Sequence, residues 1–156
     1  MVRFYRKTES PPIRGLGVKM HNELTGASLG QMQNHLGLII EDKEGKESLD
    51  PQKFLEYTKF TPTLAAKTTK TSRQQFYNKT IPLKPSSRLR ERVISLVTAT
   101  DIAYELFDRS VEETSKWMMS PNALLFGASP FEVCMRGEAK PLIHWLLDRA
   151  GVKHVG

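Results

Sequence analysis

Apolar residues recur at helical spacing most clearly between residues 85 and 107. Leu89, Val93, Leu96 or Val97, Thr100, Ala103 and Phe107 would line one face there. Ser86 or Ser87 can cap that helix. A second apolar stretch runs from Arg109 to Arg149 and holds both tryptophans and the only cysteine. Ser110 with Glu113 makes a capping-box pattern opening VEETSKWMM. Ser129 with Glu132 makes another, with Pro130 at the first helical position, opening FEVCM. Between them Pro121 and Gly127 stop one helix and turn the chain. Gly137 breaks the pattern again before AKPLIHWLLDR, and Gly151 stands where a C-terminal cap belongs.

Upstream, DPQKFLEYTKF reads as a helix with Asp50 as N-cap and Pro51 in its first position, ended by Thr61-Pro62. Residues 62–80 then have the shape of a helix-turn-helix. Leu64, Ala65 and Ala66 lie on the first helix, where small residues allow close crossing. Ser72 with Gln75 patterns a capping box for a second helix, RQQFYNK, from which Phe76 would pack back on the first. No glycine marks the turn, so Lys70 must tolerate its backbone geometry. Residues near the start of a second helix face base edges in this motif. Here the DNA-contacting candidates are Lys70, Ser72, Arg73, Gln74, Gln75, Tyr77, Asn78 and Lys79, with Arg88 on the following helix. Arginine can bond guanine bidentately, and Gln or Asn can bond adenine. A solvated polar helix face would look the same.

The first fifty residues yield less. VRFYR reads as a short strand or a basic arm, and Pro11-Pro12 with Gly15 and Gly17 exclude a long element. Ser28 could cap a short helix, LGQMQNHL, ended by Gly37. LGLIIE is a brief apolar run followed by the charged turn DKEGKE. His21 and His35 have no Cys or His partner at ligand spacing, so no metal site is expected.

Charge changes this picture. The net charge of +6 is unevenly spread. Residues 1–50 carry seven basic and seven acidic side chains, residues 51–92 ten against two, and residues 93–156 six against eight. A basic middle suits an anion, and a slightly acidic last third suits something else. Arg88, Arg90 and Arg92 lie in the first turns of a helix, where the macrodipole opposes them. Phosphate contact or pairing with an acidic side chain would offset that. The single cysteine fits a reducing compartment, and Cys134 reads as a small buried hydrophobe. No apolar run approaches the roughly 20 residues of a membrane span, and the N-terminus lacks the apolar core of a signal peptide; a cytoplasmic protein is expected. His144 and Asp148 form an i, i+4 pair that could orient an imidazole, but no nucleophile has a place beside it, and no phosphate-loop or zinc motif occurs. No enzyme activity, cofactor or catalytic residue is expected.

The C-terminal pattern resembles the toxin-binding domain of the Xre/MbcA/ParS family of antitoxins. The residues that carry the likeness are Trp117, Pro121, Asn122, Leu124 or Leu125, Gly127, Ser129, Pro130 and Gly137, then Leu142, Ile143, Leu146 and Leu147. In that family a helix-turn-helix precedes a long helix, and Ser87, Arg88, Leu89 and Arg92 roughly correspond to its opening. The likeness covers about residues 54–152. It implies an all-α fold: an N-terminal extension at 1–49, a helix-turn-helix-like DNA-binding region at 50–84, and a long helix plus a small toxin-binding or dimerisation module at 85–156. It also implies an antitoxin that sequesters a partner, usually a RES-domain toxin that depletes NAD, and binds its own operator; a homodimer is expected, and the operator would be palindromic if the antitoxin dimerises. Partner-contact candidates are Trp117, Leu125, Phe126, Arg136, Lys140, Arg149 and Lys153; Met118, Met119, Met135 and Trp145 are apolar residues that could join them or lie in the core. The competing expectation is a solitary transcription regulator whose C-terminal module only dimerises.

Overall fold

Residue types at the start of each helix explain most of the architecture, which a computed structural model describes for residues 33–151. Helix α1 spans Pro51–Thr58, and the Asp50 side chain accepts from the Lys53 N–H at 3.2 Å. Helix α2 spans Pro62–Thr69 under a Thr61 cap. Both end on a lysine in the left-handed region, Lys59 at φ 63° and Lys70 at φ 57°. The strain expected at Lys70 is therefore present. Helix α3, Arg88–Leu106, starts where the Ser87 hydroxyl accepts from the Arg90 N–H. Ser110 caps α4, Val111–Met119. At α5, Pro130–Met135, Ser129 and Glu132 complete a reciprocal capping box, with bonds of 2.8 and 3.0 Å. Helix α6, Lys140–Arg149, closes on Gly151 at φ 82°.

The fold is mostly helical, which the all-α expectation broadly fits, with a small three-stranded sheet added. The LGLIIE run supplies strand β1, Ile39–Glu41, and the DKEGKE turn leads into β2, Glu47–Leu49. They pair antiparallel, with Ile39 opposite Leu49. Asp42 builds the turn: its Oδ1 accepts from the Glu44 and Lys46 N–H groups at 2.8 and 2.9 Å. A third strand, β3, Ile81–Pro82, joins β2 with Ile81 opposite Leu49. The expected helix through residue 36 is absent over residues 33–36, where Asn34 adopts φ 51° and its side chain bonds both backbone groups of Ile39. Its earlier residues, like VRFYR and His21, lie outside the described residues.

The expected recognition helix does not form as an α-helix. Arg73–Tyr77 is a five-residue 3-10 turn, and Ser72 makes no side-chain cap bond. The chain is already extended at Asn78, because β3 must pair with β2 a few residues on. A long-range pairing thus overrides a local helix signal. Phe76 packs inward as expected, 5.7 Å from Phe54.

Helix α3 is the central element, and α4, α5 and α6 all pack against it. Leu96, Ile102, Met118, Phe131, Ile143 and Leu146 are among the fully buried side chains around it. Phe54 also lies 6.0 Å from Phe131, and Phe131 lies 5.5 Å edge-on from Phe60. One apolar cluster therefore runs from the N-terminal helices to the C-terminal ones. The segment before β1 is strapped to α3 by Asp101, fully buried, whose two carboxylate oxygens accept the Asn34 and His35 N–H groups at 2.9 Å each.

Candidate protein-docking surface

The C-terminal half presents its chemistry on the loop between α4 and α5. Asn122 organises that loop. Its side-chain oxygen accepts from the Leu124 N–H at 2.9 Å, and its carbonyl accepts from the Leu125 and Gly127 N–H groups. The residues between form a 3-10 turn, Ala123–Leu125. Phe126 follows at φ 57°, and its side chain is 100% exposed. A bulky side chain in left-handed backbone is strained, and strained positions concentrate at functional sites. Here the ring receives no burial in return. Leu124 beside it is 65% exposed.

Two clefts flank this loop. One encloses about 240 Å³ and is walled by Trp117, Leu125, Pro141, Leu142 and Trp145. The other encloses about 550 Å³ and runs from Phe126 past Val133 to Arg136 and Glu138. Trp117 and Trp145 stack at 6.2 Å with their planes 8° apart, and Phe107 backs Trp117 at 5.9 Å. The exposed Arg149 guanidinium lies 4.8 Å over the half-buried Trp145 ring, a solvent-facing cation–π arrangement. Arg136 and Glu138 stand 4.0 Å apart on the rim.

Of the partner-contact candidates, Trp117, Leu125, Phe126 and Arg136 border these clefts, and Arg149 joins through Trp145. Lys140 is exposed but lines neither cleft, its neighbour Pro141 doing so instead. Lys153 lies outside the described residues. Met118 and Met135 are core. Sequence reasoning missed the exposure of Leu124 and the part of Pro141; an apolar pair beside Gly127 in a turn was the available signal.

The DNA-contact candidates form one exposed run on α2, the 3-10 turn and the segment after it. Lys70, Ser72, Arg73, Gln74, Asn78 and Lys79 are exposed and Gln75 is half-buried. Tyr77 is 63% exposed with the Arg73 guanidinium 5.8 Å from its ring centre. Arg88 is exposed. Arg90 instead pairs with Glu47 of β2 at 2.7 Å, and Arg92 reaches the Gly137 turn. Structural pairing thus accounts for Arg90.

Burial pushes the Cys134 thiol up to about 12, so it carries no thiolate near neutrality. Tyr57, bonded to Thr100 at 2.7 Å, is raised for the same reason. Among the described residues no group of three His, Cys, Asp or Glu side chains is placed to hold a metal, and no helix is long and apolar enough to cross a membrane. Fold and site together define a small, mostly helical protein with an exposed phenylalanine near a half-buried tryptophan pair, and a separate basic run. Compared with known proteins, the chain matches no family model, no curated sequence and no solved structure.

Proposed function

We propose that this chain is the antitoxin of a type II toxin–antitoxin pair, a cytoplasmic homodimer that neutralises a partner toxin of the RES-domain, NAD-depleting kind by direct binding. The observation that carries the reading is Phe126, fully exposed on strained backbone in the loop whose Leu124 and Leu125 line the cleft walled by the stacked Trp117–Trp145 pair. Exposed aromatics in a rigid setting are the residues that dominate binding energy at protein interfaces. Neutralisation by occlusion needs such an anchor and rim charges; it needs no catalytic side chain and no cofactor. Arg136 with Glu132 and Glu138 gives the rim beside the anchor charges of both signs, which suits a rim of complementary mixed charge on the toxin.

The same protein represses its own operon through the basic run. With only a 3-10 turn in place of a recognition helix, Arg73 and Gln74 would reach base edges from the turn, while Lys70, Lys79 and Arg88 would hold phosphates. That exposed run also favours a second reading, a solitary regulator that binds DNA and has no toxin.

Co-purification of the tagged 156-residue chain with the product of the adjacent gene separates the two. The antitoxin reading expects a stoichiometric complex with a protein that is toxic when expressed alone. A chain that shifts operator DNA and purifies without a partner would replace it with the solitary regulator.

A further inference from the structure

The turn that stands in place of a recognition helix carries an aromatic ring outward. Phe76 anchors the turn from inside, buried against Phe54. Two backbone bonds of 3.1 Å hold its shape, from the Gln75 N–H to the Ser72 carbonyl and from the Asn78 N–H to the Gln75 carbonyl. Tyr77, one residue past the anchor, is 63% exposed, with the Arg73 guanidinium over its ring. The setting is cationic. No acidic side chain occurs in the chain between Glu56 and Glu91. Glu47 of β2 is taken by Arg90 at 2.7 Å, while Lys70, Lys79 and Arg88 are exposed.

This geometry limits how the turn can read a sequence. Five residues of 3-10 helix, at about 2.0 Å each, span only about 10 Å. The chain is extended again at Asn78. Such a turn meets fewer base edges than a helix laid in the groove. Stacking needs no such length. A side chain pushed between two base pairs unstacks them, and the cost depends on which step is opened. An aromatic face accepts any base, and each stacked base is worth about 5- to 100-fold in affinity. Arg73 brings positive charge to the same point and Lys79 follows two residues on, so the ring arrives with phosphate partners beside it.

We propose that Tyr77 inserts between two base pairs of the bound duplex. The basic run then selects DNA by how readily a step opens, as well as by base edges, and pyrimidine–purine steps are its favoured sites. The inference rests on the DNA-binding reading of that run above, and it adds a specificity-determining residue.

The test needs no operator sequence. The full chain is titrated by fluorescence anisotropy into a short duplex of mixed sequence, and into the same duplex with one central abasic site, where opening the stack costs less. The parent should prefer the abasic duplex by at least about fivefold. Tyr77→Ala should lose that preference, and Tyr77→Trp should restore it. Lys79→Ala should weaken both duplexes and leave their ratio unchanged. The exposure of Tyr77 lets its variants fold, which their thermal midpoints verify. Equal binding of the two duplexes by the parent, or a preference that survives Tyr77→Ala, overturns insertion while leaving DNA binding itself in place. Tighter binding to the single strand than to either duplex also overturns it. A parent that binds neither duplex overturns the DNA reading and the insertion together.

Discussion

Replacing Phe126 by glycine should stabilise the monomer. The residue sits at φ 57° with its side chain 100% exposed, so the ring contributes no burial to folding. A left-handed conformation costs a residue with a Cβ about 1–2 kcal/mol, and glycine adopts it without that cost. Glycine also makes the unfolded chain more flexible, which takes back about 0.4–1 kcal/mol. The balance is a gain of about 0.5–1 kcal/mol. For a chain of this size each kcal/mol moves the thermal midpoint by about 2–4 °C, so Phe126→Gly should melt about 1–4 °C above the parent. Phe126→Ala keeps the Cβ and should change little. Calorimetry should be run well below the concentration at which two copies associate, since dimerisation would raise the parent's midpoint by mass action. A glycine variant that melts lower than the parent under those conditions would refute the reasoning, because the ring would then be making contacts that hold the fold together.

The Asp101 carboxyl, held up at about 7 chiefly by burial, should give stability a pH slope. Between about 4 and 7 the folded chain keeps a proton that the unfolded chain has released, so stability falls as pH rises through that window. His35, lowered by its own burial, works in the opposite sense below 6.5, so the comparison is parent against Asp101→Asn. The amide should lose about 1–3 kcal/mol by leaving one strap N–H unpaired, and should flatten the slope in urea midpoints; an unchanged slope would clear Asp101 of the effect. Ser129→Ala removes the hydroxyl half of a complete capping box and should cost about 1–2 kcal/mol, with a loss below a few tenths counting against the cap. Lys79→Ala should weaken cognate and scrambled DNA alike and reduce the salt slope by about one, whereas Arg73→Ala should narrow the gap between them. Equal losses for both substitutions would assign Arg73 to the backbone.

Helix starts were legible because their signals are short and local. Asp50-Pro51, Ser87, Ser110 and Ser129-Pro130 each name a cap within four residues, and each cap is made. The same local reasoning misread residues 72–79. Ser72 and Gln75 have the spacing of a box, but the segment answers to β2, more than twenty residues upstream, through Ile81 and Leu49. The sheet was hard to see because its strands are two or three residues long, too short for alternation to register. Phe126 illustrates the limit for the site. The resemblance made it a partner-contact candidate beside Trp117 and Leu125, but only the turn that Asn122 organises separates the fully exposed Phe126 from the half-buried Trp117 and Leu125.

The phenyl contact between Phe54 and Phe131 has a practical consequence for anyone dividing this chain. The basic half and the docking half do not each close a core of their own. A fragment ending at residue 84 would bare Phe54 and Phe76 to water, and the complementary fragment would bare Phe131. Each piece expressed alone should be sticky and poorly folded. The two pieces mixed in equal amounts should find each other and recover a cooperative melt, because the seam between them is interior.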